Sequence, residues 1–214
     1  MTNQPPNNVL PRKAWFAIAI AIVPFFAKRA ILLGEHNYVF WLAADYGARI
    51  LSLVGVEMAR RSGLFAKSRA PAGALLSVVT FVILLALELN LQVLIYPLLR
   101  SHLNYLELSH FPAIPNALVQ SFDFYFGLFL VALSEESVFR ALLITTLERW
   151  QIKPFMVIVL SSAAFALIHV TSGVVDTLNA FLHGLLLGIA YWRTRRLMVC
   201  VASHYLVDLY IFGQ

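Results

Sequence analysis

Seven apolar runs dominate this chain, at 14–33, 38–58, 73–97, 120–147, 154–170, 177–192 and 198–213. A helix needs about 20 mostly apolar residues to cross a bilayer. Of the 214 residues, 60% are hydrophobic and only 13% charged, whereas soluble domains carry about a quarter charged residues. Too little polar sequence remains to wrap these runs in a water-soluble shell, so lipid is the solvent for most of the surface. Barrel strands would alternate apolar and polar residues. These runs do not, which leaves helices as the spanning elements. The expected fold is all-α: a polytopic bundle of seven transmembrane helices in a single unit.

The connections carry the orientation. With seven spans, Arg12, Lys13, Arg60, Arg61, Lys67, Arg69, Arg149, Lys153, Arg193, Arg195 and Arg196 fall on one side, and Lys28, Arg29 and Arg100 on the other. Eleven against three places the N-terminus in the cytoplasm and the C-terminus outside. The net charge of +5 is therefore a topology signal, and no nucleic-acid partner is expected. Residues 1–13 read as a cytoplasmic tail, disordered over its polar, proline-bearing stretch from Met1 to Pro11. Residues 14–119 hold the first three helices and an outer loop, and 120–214 hold four helices that carry polar motifs. The first run lacks a small-residue cleavage site followed by a soluble domain, so it reads as a retained span. Cys200 excludes an intrachain disulfide and reads as a small buried hydrophobe.

An ionisable side chain within a span costs about 2.5–3.5 kcal/mol on insertion scales and asks for a reason. The fourth run contains Glu135-Glu136 with Arg140. Glu136 and Arg140 are four apart and can pair on one helix face. Glu135 is rotated by about 100° from Glu136 and can face a cavity. Phe165 and His169 are four apart in the fifth run, and His204 and Asp208 in the seventh, where Asp208 can set the imidazole tautomer. Phe181, Gly184 and Gly188 share a face of the sixth run, and the two glycines permit close backbone approach. Asp45 and Arg49 read as a separate structural pair. Glu88, Asn90 and Gln92 read as a polar network between helices, and His183 as a core residue that can line the site.

Glu135, His169 and His204 suit water activation. A desolvated Glu135 can take the proton, His169 can orient the water or shuttle the proton, and His204 with Asp208 can stabilise an oxyanion. The same one Glu and two His also suit zinc, with a fourth position for water. Spacing alone leaves both open.

Glu-Glu-x-x-x-Arg, Phe-x-x-x-His, Phe-x-x-Gly-x-x-x-Gly and His-x-x-x-Asp follow in order on consecutive runs over about residues 120–212. This set resembles the CPBP family of intramembrane proteases, which includes type 2 CAAX prenyl proteases, Abi proteins and bacteriocin-processing enzymes. The resemblance implies an endopeptidase in which Glu135 is the base, His169 its partner on the water, and His204 with residue 208 the oxyanion site. It implies that Glu136 and Arg140 support the helix. Family members have been described as metalloproteases and as metal-independent glutamic proteases, and the second is the expectation here. Asp208 stands where the prenyl proteases have Asn, so it is expected to orient His204 rather than donate to the oxyanion. Ala141 stands where Gly is frequent. The implied partner is a membrane-anchored protein or peptide in a bacterial plasma membrane. Sequence signatures of site-2 zinc, rhomboid and presenilin-like proteases are missing. A non-enzymatic immunity or scaffold protein and a proton-coupled transporter are the competing classes.

Overall fold

The computed structural model describes residues 10, 12–65, 70–103 and 112–213. Apart from Leu10, the expected disordered tail lies outside these residues, as do Lys67, Arg69 and His110. The described residues form seven helices and no strand: α1 Arg12–Ile31, α2 Tyr38–Arg61, α3 Ala74–His102, α4 Ala117–Arg149, α5 Pro154–Leu167, α6 Val174–Thr194 and α7 Leu197–Phe212. All seven predicted apolar runs form helices. Five are long and apolar enough to cross a membrane, making this an integral membrane protein. The other two, α5 with 14 residues and α7 with 16, are shorter. At 1.5 Å per residue they extend about 21 and 24 Å, less than a hydrocarbon core of about 30 Å.

Local chemistry sets the helix ends. Asn37 accepts from the backbone N–H groups of Val39 and Phe40 to start α2, and Asn116 does the same for Leu118 and Val119 at α4. Pro154 opens α5, where its missing N–H leaves nothing unsatisfied. The long helices contain wider π turns at Leu91–Ile95, Asp123–Gly127 and Ser137–Ile144. The last begins directly after Glu135-Glu136, in keeping with the enrichment of such turns at functional sites.

Two close helix contacts hold the bundle. A Cβ on Gly55 of α2 would lie 2.4 Å from Ala21 N of α1, where Ala17 and Ala21 are fully buried. A Cβ on Gly184 would lie 3.0 Å from Ser162 Cβ, and one on Gly188 3.1 Å from Ile158 Cγ2, so α6 lies against α5 through its glycine face. Phe181 packs beside them against the cluster formed by Phe139, Phe165 and Ala180. Cys200 is fully buried, as its sequence setting suggests.

The connections expected on the cytoplasmic side meet at one end. Arg149 Nη2 donates to Gly63 O at 2.8 Å, Arg196 Nε to Ala72 O at 2.7 Å, and Ala72 N to Thr194 O at 2.8 Å. Trp15 stacks near Trp150, with ring centroids 5.5 Å apart. Two charges were misassigned from sequence. Lys28 and Arg29 are not loop cations but residues of the last turn of α1, Lys28 buried and ion-paired to Asp45 of α2 and Arg29 facing the bundle.

Gly55→Ala is expected to destabilise the bundle by about 1–3 kcal/mol, because its Cβ meets backbone rather than a movable side chain. Gly47→Ala, on the same helix with nothing within 4 Å, is expected to leave the melting temperature unchanged or raised. Thermal unfolding of both variants in detergent micelles checks the contrast.

Candidate active site

Many polar residues of the spans converge on one partly open cavity of about 740 Å³. Glu135, His169, His204 and Asp208 all line it. Glu136 and Arg140 do not; they lie behind the wall, fully buried. The rotation between adjacent helical residues thus separates the two carboxylates, one toward the cavity and one away.

Glu136 joins two helices. Arg140 Nε lies 3.0 Å from its Oε2, as the four-residue spacing predicts, and His204 Nδ1 lies 3.0 Å from its Oε1. His204 Nε2 is 3.4 Å from Asp208 Oδ2. The closer orienting contact on His204 is therefore Glu136, which sequence spacing cannot reveal because the two residues are 68 positions apart. Asp208 supplies the second, longer contact.

His169 sits in the turn after α5, not within the helix as the fifth predicted span has it. Its Nδ1 lies 3.1 Å from Phe165 O. A carbonyl only accepts, so Nδ1 carries a proton and donates. In the neutral ring Nε2 is then an acceptor. Phe165 is the apolar hub of the site. Its ring lies 5.0 Å from the His169 ring, 6.0 Å and edge-on from His204, and 4.7 Å beneath the Arg140 guanidinium.

Glu135 is not the unpaired carboxylate that the sequence suggests. Arg49 Nη1 donates to its Oε1 at 2.9 Å and to Ser134 Oγ at 3.3 Å, while Arg49 Nε donates to Asp45 Oδ2 at 2.7 Å. Asp45 also holds Lys28. The pair Asp45–Arg49 therefore belongs to the site. Lys28, Asp45, Arg49 and Glu135 form a continuous ladder of alternating charge across α1, α2 and α4, so the site extends beyond residues 120–214.

A second polar wall faces the cavity from α3 and α6. Buried Glu88 accepts from Ser203 Oγ, and its Oε1 is 3.2 Å from His183 Nδ1. Asn179 Nδ2 donates to Gln92 Oε1 at 3.1 Å. Glu88 and Gln92 thus form the expected interhelical network, whereas Asn90 turns back to bond Ala86 O of its own helix.

The helices α4 and α7 meet where His204 contacts Glu136, and an ion pair between Glu148 and Arg195 ties the end of α4 to the turn between α6 and α7.

Among the described residues, no three His, Cys, Asp or Glu side chains stand at metal-holding spacing. Glu135 Oε1 is engaged by Arg49, and His204 turns both ring nitrogens toward carboxylates.

Comparison with known proteins agrees with the motifs. Residues 117–210 match the Rce1-like family, type II CAAX prenyl endopeptidases. That stretch is similar to this family, which supports an intramembrane protease of the CAAX type in general. No curated protein and no solved structure matches the chain.

Arg49→Met would strand the buried carboxylate of Glu135 and leave Asp45 with Lys28 alone. It is expected to cost about 3–5 kcal/mol, the usual penalty for removing one partner of a buried ion pair. Adding Glu135→Gln to it is expected to recover part of that loss. Denaturant unfolding in mixed micelles measures both.

Proposed function

We propose that the chain is an intramembrane endopeptidase that hydrolyses a peptide bond in a membrane-anchored protein or peptide by a Glu135-activated water, without a metal. The observation that supports it most is the division of the adjacent carboxylates. Glu135 opens onto the cavity shared with His169 and His204, while Glu136 stands behind and holds His204.

In this reading Arg49 compensates the buried charge of Glu135 through Oε1, and the second carboxylate oxygen accepts a proton from water. Nε2 of His169 accepts the water's other hydrogen bond and fixes its oxygen toward the substrate. That oxygen bonds to the scissile carbonyl carbon, and the carbonyl π electrons move onto oxygen. The resulting oxyanion is stabilised by His204, which Glu136 holds through Nδ1 while Nε2 leaves its longer, 3.4 Å contact with Asp208 to donate to the oxyanion. Collapse of the tetrahedral intermediate breaks the C–N bond, and Glu135 returns its proton to the leaving nitrogen. The products are a new carboxyl terminus and a new amine.

CAAX-type tails, other C-terminal segments and leader peptides are the substrate classes compatible with this chemistry. A bacterial plasma membrane is the setting proposed with it.

Glu135→Gln is expected to lower kcat by about 10²–10⁴-fold, the range for a positioned acid–base group, with the fold retained and a lower melting temperature, because Arg49 keeps only Asp45 as an anionic partner. His204→Ala is expected to lower it by about 10²–10³-fold. Cleavage of a membrane-anchored reporter peptide in proteoliposomes gives both values. Wild-type rates in the Glu135→Gln protein would end the proposal. Treatment with 1,10-phenanthroline is expected to leave turnover intact; loss that zinc restores would replace the metal-free mechanism. Precursors that accumulate uncleaved in Glu135→Gln cells, identified by membrane proteomics, would be the natural substrates.

A further inference from the structure

The charge ladder balances without one of its neighbours. Lys28 and Arg49 supply two positive charges, and Asp45 and Glu135 two negative ones. Arg29, in the last turn of α1, lines the same cavity. Among the described residues it has no hydrogen-bond or ion-pair partner, and its Nε is buried without one. The charged and titratable groups within its electrostatic reach are Glu135, Asp45, Arg49, His169 and the neighbouring Lys28. Asp45 and Glu135 are already committed to other cations.

A cation partly removed from water and left unpaired is costly. An arginine at a helix end ordinarily snorkels to the membrane surface to stay hydrated. Arg29 instead turns its buried edge to the bundle and contributes to the cavity wall. Glu88, Asp123, Asp176 and Asp208 also line the cavity, but each contacts another side chain: Ser203 and His183 for Glu88, Tyr46 for Asp123, Tyr96 for Asp176 and His204 for Asp208. The planar guanidinium of Arg29 suits a carboxylate, which it binds through two parallel hydrogen bonds.

Resting on the protease reading, we infer that Arg29 binds the free C-terminal carboxylate of the substrate. The cavity setting favours a peptide end over a lipid headgroup, because Arg29 shares its wall with Glu135 and His169 rather than standing on the lipid-facing surface. Held there by its last residue, a substrate chain presents a peptide bond close to its C-terminus to the base. Arg29 is a positioning residue: it selects the chain end and sets the cleavage register.

The test is a binding measurement that needs no turnover. Microscale thermophoresis of the full chain in detergent micelles compares N-palmitoyl hexa-alanine ending in a free carboxylate with the same peptide ending in an amide. The wild-type protein is expected to bind the acid at least tenfold more tightly than the amide. Arg29→Gln is expected to bind both with the Kd of the amide, and Arg29→Lys to keep part of the preference. Equal binding of acid and amide by the wild type overturns the inference, even should the variants fail to fold. A preference that survives in folded Arg29→Gln also overturns it. So does phosphatidylglycerol that binds through Arg29 and abolishes the preference, which would assign the site to a lipid headgroup. Cleavage by Glu135→Gln protein would remove the protease reading without changing these binding results, so the two failures are distinguishable.

Discussion

The buried guanidinium of Arg49 is the contact on which the site depends. It touches both Asp45 of its own helix and Glu135 of α4. Burying two carboxylates in a membrane protein is tolerable only when cations reach them with good geometry. Arg49 meets that need with two nitrogens on one rigid plane, and Lys28 closes the other end of the ladder. Because the three helices supply alternate rungs, none can shift without stranding a charge. Electrostatics thereby fixes the register of α1 and α2 against the helix that carries the proposed base.

The same logic operates behind the cavity wall with different partners. Glu136 is balanced by Arg140, and its remaining capacity is turned on His204. Two adjacent glutamates thus play unlike parts because a helix turns by about 100° per residue. Each reaches a different neighbour: α2 on one side, α7 on the other. Phe165 fills the space between, and its ring covers Arg140 while bordering both histidines. That apolar cover keeps water from the Glu136–Arg140 pair while the cavity beyond it holds polar groups.

Periodicity and hydropathy make the architecture legible. Seven apolar runs become seven helices within a few residues, and Gly184 and Gly188 make the close contact their spacing implies. Local pairs are equally legible: Glu136 with Arg140, His204 near Asp208. Partnerships across long sequence separation are not. Arg49 and Glu135 are 86 positions apart, and His183 and Glu88 are 95 apart. Asp45 and Arg49 satisfy each other at helical spacing, which hides the second role of Arg49. Lys28 shows the complementary failure, because position near the end of an apolar run says nothing about whether a side chain points to water or inward.

Helix length explains how His169 acquires a defined tautomer. The last carbonyls of any α-helix lack an intrahelical partner. Because α5 stops at Leu167, the carbonyl of Phe165 is one of these, and it is the group that accepts from His169 Nδ1. Had the helix continued through residue 169, its backbone N–H would have taken that carbonyl, and the ring would have lost its internal anchor. The backbone N–H of His169 instead bonds Ala166 O at 2.9 Å, and Thr177 Oγ1 reaches its carbonyl at 3.3 Å from the start of α6. By ending inside the bundle the short helix leaves one unsatisfied carbonyl where an imidazole can use it, and in the neutral ring Nε2 is then the acceptor that the proposed mechanism calls for.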